Sequence, residues 1–186
     1  MSRSVNQLAG ALCLLSLGVS SAQASIIGQT IRIDWLYPDS STVYDTSGNV
    51  VVADPGVEWF AGSGAGDIDV GNGTITIENL TAGWGAGSFN GFRFTDALGA
   101  IGAFTSFSLV SITGFAPPIA PALSFTADEL LVNFTPTGDD NIGDGVGQVY
   151  TFAFTIGAVP VPEPASLALL GLGLVGVAAA RRRRVA

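Results

Sequence analysis

The chain has 186 residues, 48% of them apolar and only 12% charged, with seven basic residues against fifteen acids and a net charge of −8. This is room for one domain with a real core and a lean polar surface. All seven cations are arginines and four stand together at the very end, so nucleic acid is excluded as a partner of the body, because phosphate binding needs clustered Lys or Arg.

From the N-terminus, Arg3 is followed by an apolar stretch from Leu8 to Val19 and then by Ala22-Gln23-Ala24. One positive charge, about a dozen apolar residues and a small-x-small exit are the parts of a secretory signal peptide, so residues 1–24 are expected to be removed between Ala24 and Ser25. The only cysteine, Cys13, lies inside this leader with Leu12 directly before it, which argues against a lipid anchor. The mature body therefore has no thiol for a disulfide or a thiolate metal site.

Residues 25–158 form the expected domain. Two arginines, Arg32 and Arg93, against fourteen acids give it a formal charge of −12. Its pattern is strand throughout. Ile31, Ile33 and Trp35 alternate with Thr30, Arg32 and Asp34; Ile75 and Ile77 alternate with Thr74, Thr76 and Glu78; Tyr150, Phe152, Phe154 and Ile156 share one face. With Val43 to Val52, Val57 to Phe60, Phe89 to Thr95, Phe104 to Ile112, Leu123 to Thr126 and Leu130 to Phe134, the spacing predicts nine strands separated by Gly, Pro and Asn turns. The fold class expected is all-β, an antiparallel β-sandwich of jelly-roll type.

Several stretches within the domain invite a functional reading. Trp59 and Trp84 stand beside glycine-rich segments, where an exposed indole can stack on a sugar ring; a tryptophan packed into the core is the alternative at each. Asp67 and Asp69, with Glu78 at the twelfth position from Asp67, echo a calcium loop, but Asn72 occupies the position that needs glycine, and a hairpin turning at Gly71-Asn72-Gly73 accounts for the pattern better. Asp139, Asp140, Asn141 and Asp144 crowd six residues among glycines, oxygen ligands suited to Ca²⁺ and equally the stuff of a solvated turn; beyond this possible ion no cofactor is expected. Asn72, Asn79 and Asn133 each begin an Asn-x-Thr triplet.

The absence of His, Lys and Cys from the body rules out Ser-His-Asp and Cys-His nucleophiles, Schiff-base lysines and the usual zinc sites. Two carboxylates are enough for a glycosidase, and Glu58, Glu78, Asp96, Asp128 and Glu129 are available, though nothing in the sequence selects a pair.

The C-terminus carries the densest signal. Residues 159–164 end in Val161-Pro162-Glu163-Pro164, where two prolines two apart stop a ladder or a helix interior and keep the chain extended. Ala165 to Ala180 is then uncharged, about 24 Å of helix at 1.5 Å per residue, short of a hydrocarbon core of roughly 30 Å and so a marginal transmembrane anchor. Arg181, Arg182, Arg183 and Arg184 in the 181–186 tail hold the cytoplasmic side by the positive-inside rule and leave the body outside the inner membrane.

This terminal segment resembles the PEP-CTERM sorting signal of Gram-negative bacteria, in which a Pro-Glu-Pro motif, an apolar helix and an arginine cluster end a secreted protein. The resemblance covers about the last 26 residues. It implies an exosortase as partner, a transient hold on the inner membrane and delivery to the cell surface or the medium, in bacteria that make exopolysaccharide and biofilm. The function expected is non-catalytic: adhesion, or binding and structuring of exopolysaccharide. The alternatives are a carbohydrate-active enzyme working through a carboxylate pair and a structural matrix protein without ligand.

Overall fold

The computed structural model describes residues 25–62, 66–79, 84, 87–114, 120–135, 147–158 and 173. Ala22 and Ala24 of the leader, the Asp139-Asp140-Asn141-Asp144 loop, the Val161 to Pro164 motif, the apolar run with the exception of Gly173, and Arg181 to Arg184 lie outside these residues.

Among the described residues the chain forms ten strands: β1 (Thr30–Leu36), β2 (Val43–Val51), β3 (Trp59–Ala61), β4 (Gly66–Gly71), β5 (Thr74–Asn79), β6 (Gly91–Asp96), β7 (Phe104–Thr113), β8 (Ala122–Phe125), β9 (Glu129–Asn133) and β10 (Gln148–Ile156). They make two antiparallel five-stranded sheets, in the orders β2-β1-β6-β9-β8 and β3-β4-β5-β10-β7. The expected β-sandwich is the observed architecture. The chain switches sheets at β2–β3, β5–β6, β6–β7, β7–β8 and β9–β10, the repeated crossing that a jelly roll uses, while β3-β4-β5 is a local meander.

Nine strands were expected and β4 is the tenth. Its stretch, Gly-Asp-Ile-Asp-Val-Gly, reads as an acidic loop until the faces are separated: Ile68 and Val70 are buried, and Asp67 and Asp69 alternate with them on the other side. The β4–β5 connection is the expected hairpin, with Gly71 opposite Thr74 and Asn72-Gly73 between them. Gly73 has φ of +90°, which a side chain would resist.

Alternation builds the core. Ile31, Ile33 and Trp35 of β1, Ile75 and Ile77 of β5, Phe92 and Phe94 of β6 and Tyr150, Phe152 and Phe154 of β10 meet between the sheets in one buried cluster. One strand breaks the rule: Asp34, on the opposite side of β1 from Ile33 and Trp35, is as buried as the core. At the two flanks of the sandwich the edge strands of opposite sheets lie against each other, β2 against β3 and β7 against β8.

Candidate functional site

Exposed apolar side chains concentrate on the β2/β3 flank, where Val43, Tyr44, Val51, Val57 and Phe60 all reach solvent. Tyr44 owes its position to a β-bulge. Trp35 pairs with Asp45 and Leu36 with Val43, so Tyr44 is an extra residue without a partner on β1, and a bulge re-aims the side chain it carries. Its ring is 58% exposed and is held from behind by two others. Trp35 meets it edge-on at 4.9 Å and 63°, and Tyr37 at 6.2 Å and 89°. Trp35 is itself pinned, since its indole Nε1–H donates to Asn90 Oδ1 at 2.8 Å. The result is an aromatic face that is open to solvent yet backed by the core.

Carboxylates border this face. Asp45 Oδ2 accepts the Gly62 N–H at 3.0 Å and ties β2 to the end of β3, and a side chain at Gly62 would run into that carboxylate. Asp39 Oδ1 accepts the N–H of Ser41 at 2.8 Å and of Thr42 at 2.9 Å, together with the Ser41 hydroxyl at 2.6 Å. The Ser41 hydroxyl first, and then the backbone donors, hold the Asp39 carboxyl below its ordinary 3.8, so it is an anion at neutral pH. Farther along the flank Phe60 is 68% exposed. Rings that present an apolar face, with carboxylate oxygens beside them, suit the C–H faces and hydroxyls of a sugar chain.

The two tryptophans singled out by sequence are placed differently. Trp84 is 2% exposed, stacked on Phe134 at 4.1 Å and 11° and edge-on to Phe92 at 5.9 Å. It is a core residue and not a stacking surface, because an indole gains far more by burying its whole area among aromatics than by facing water. Trp59 is half-buried and turns its edge to Phe92 at 6.0 Å and 87°. The residue that sequence reasoning missed is Tyr44. A partial signal was present: Val43 and Tyr44 are consecutive apolar residues ahead of the polar run Asp45 to Asn49, a break in alternation that a bulge accommodates, but Val50 and Val51 break it in the same way and stay in register.

The acids expected to furnish a carboxylate pair are mostly committed to backbone. Glu58 accepts the N–H of Ala53 at 2.9 Å with one oxygen and of Val70 at 2.6 Å with the other. Asp96 accepts from Leu98, Ala100 and Ile101 at 3.2, 3.2 and 2.8 Å and shapes the turn after β6. Asp128 and Glu129 lie at the β8–β9 turn, where Asp128 O accepts the Asp96 N–H at 3.2 Å; Glu78 stands on the outer face of its sheet, opposite Asp67. Burial, with Glu58 and Asp54 nearby, raises the Asp69 carboxyl above 3.8. No group of three carboxylates among the described residues is arranged to hold a metal ion.

The strongest charge interaction is one that sequence gave no reason to expect. Asp34, 1% exposed, accepts Arg32 Nε at 2.7 Å and Arg93 at 2.8 Å, and the Thr46 hydroxyl at 2.7 Å. Both arginines of the body thus serve one buried carboxylate. Of the three Asn-x-Thr asparagines, Asn72 is exposed at the β4–β5 turn, while Asn133 Oδ1 is engaged by the N–H groups of Asn90 and Thr135.

Residues 160–184 match the family model of the PEP-CTERM protein-sorting motif, a span that contains Val161 to Pro164 and Arg181 to Arg184. No curated protein and no solved structure matches the chain. The motif marks a protein that is exported and processed by an exosortase at a membrane-associated step.

Proposed function

We propose that the exported body is a non-catalytic binder of neutral extracellular polysaccharide, acting at the cell surface in adhesion or in the structuring of an exopolysaccharide matrix. The observation that carries this reading is the Tyr44 platform: an exposed ring on a bulged edge strand, backed by Trp35 and Tyr37 and bordered by Asp39 and Asp45. Rigid aromatic anchors lose little entropy on binding, and a cluster of exposed apolar residues on one flank of a small domain marks a contact surface. Charge selects the class of glycan. A body of formal charge −12 repels uronate or sulfate chains, and a neutral chain meets no such barrier.

The test is binding of the exported protein to a panel of neutral and acidic bacterial polysaccharides. Tyr44→Ala is expected to raise the Kd for the neutral ligand by about fivefold to tenfold, the loss of roughly 1 kcal/mol per aromatic contact, with an unchanged melting temperature because Tyr44 is mostly exposed. Wild-type protein that binds none of the neutral chains, or a Tyr44→Ala variant that binds as well as wild type, would sink the reading.

The sorting tail makes its own prediction. With Pro162, Glu163 and Pro164 all changed to Ala, the chain should stay uncut and membrane-held, whereas wild-type protein recovered outside the cell should lack Arg181 to Arg184. Mass spectrometry of the C-terminal peptide decides it: arginines intact on the released protein contradict processing at this motif.

A further inference from the structure

We propose that the body forms a two-fold homodimer by antiparallel pairing of β7 with the β7 of a second copy. A sandwich has four edge strands, and free ladder groups on an edge invite a partner unless something blunts it. Three are blunted here. β2 carries Asp45 and is bulged at Tyr44 and again at Ser47-Gly48; β3 is three residues long; β8 is four residues long and follows Pro121.

The fourth is bulged as β2 is, but it is the longest of the four and carries neither a charge nor a proline. β7 runs for ten residues, Phe-Thr-Ser-Phe-Ser-Leu-Val-Ser-Ile-Thr. Among the described residues its ladder partner is β10 alone, and beyond the Phe104 N–H, which donates to Ala127 O at 2.9 Å, its outer edge meets no other backbone partner. Two bulges, at Thr105 and Val110, bracket the run Ser106 to Leu109, which stays in register with Phe152 to Thr155, and Val110 is pushed out into solvent.

Charge argues for a second copy as the occupant. Two bodies of −12 repel wherever their acids face each other, but neither β7 nor the adjacent β8 carries a charged residue, so this flank is where identical copies approach without that cost. Antiparallel pairing of a strand with itself is isologous: it closes at two and joins two five-stranded sheets into one of ten. The β2/β3 flanks then lie at opposite ends of the dimer. On the polysaccharide reading, which the dimer itself does not need, one assembly would link two glycan chains.

Sedimentation equilibrium of the exported protein at micromolar concentration tests this. Wild type should show twice the monomer mass, more firmly as salt rises, because salt screens the repulsion. Ser108→Lys and Val110→Lys should each show the monomer mass with the strand-rich circular dichroism of wild type, and melt somewhat lower because the stabilisation that comes from association is lost. Thr74→Lys, on the same cross-strand row as Ser108 but two strands away on β5, should remain dimeric. Each lysine makes the body less negative and by charge alone favours association, so loss at β7 reports the edge. A monomeric wild type, a dimer that survives Ser108→Lys, or a dimer that Thr74→Lys also breaks overturns the proposal. The two readings separate in the β7 variants, where monomers are expected to keep wild-type affinity for a short neutral oligosaccharide.

Discussion

Replacing Trp84 with alanine is expected to cost about 4 kcal/mol of folding stability, the range for deleting a buried indole. The ring is stacked on Phe134 and meets Phe92 and Trp35 edge-on, so alanine removes one side from three aromatic contacts and leaves a cavity that rigid neighbours fill poorly. Against a typical total of about 5 to 15 kcal/mol, this takes the domain close to unfolding at physiological temperature. Trp84→Phe should cost far less, about 1 kcal/mol. It keeps most of the packing, and it removes the buried Nε1–H, which has no hydrogen-bond partner among the described residues. Denaturant titration of the three proteins reads both values. If Trp84→Ala kept its stability and lost polysaccharide binding alone, the indole would be a ligand surface and its placement in the core would be wrong.

Arg93→Ala should be the second large loss, about 2 to 3 kcal/mol, because it leaves Asp34 buried with one guanidinium where it had two. Arg32→Ala should cost less, under about 1 kcal/mol, since the Arg32 side chain is 44% exposed against 26% for Arg93 and its pairing is screened by water. The pH dependence gives an independent check. Burial pushes the Asp34 carboxyl up, but hydrogen bonds from Arg93, Thr46 and Arg32 outweigh it and hold the group below 3.8. A depressed carboxyl stabilises the fold above its unfolded value and loses that contribution as pH falls through its folded value. Without Arg93 burial is opposed by less, and protonation of Asp34 becomes easier in the folded state. The gap between wild type and Arg93→Ala should therefore be full at neutral pH and narrow below about pH 4. A gap that stayed constant from pH 7 to pH 3 would show that the loss came from packing of the Arg93 stem and not from its charge.

Tyr44→Ala completes the contrast. Both Tyr44 and Trp84 belong to the aromatic group around Trp35, yet one is expected to change binding without stability and the other stability first. The difference lies in exposure, and exposure followed from a bulge that inserts one residue opposite β1.

The sequence by itself determined the elements whose physics is local. A period of two with one face buried identifies a strand wherever it runs for several residues, which is why β1, β5 and β10 were legible with their inward residues, and Gly71-Asn72-Gly73 announced a hairpin turn that the register then narrows to Asn72-Gly73. The tail was legible for the same reason: proline spacing, an uncharged run and an arginine cluster carry their meaning in linear order, and the span 160–184 bears it out. Tertiary structure alone decided the rest, because each remaining question concerned residues far apart in the chain. Asp34 looked like an outward-facing acid on an alternating strand, and only the approach of Arg93, 59 positions away, makes its burial tolerable. Trp59 and Trp84 have the same glycine-rich surroundings whether they point in or out, and it is Phe92 on β6 and Phe134 just after β9 that draw them in. Tyr44 became a surface because pairing with β1 slips by one residue there, and register belongs to two strands at once, not to either sequence alone.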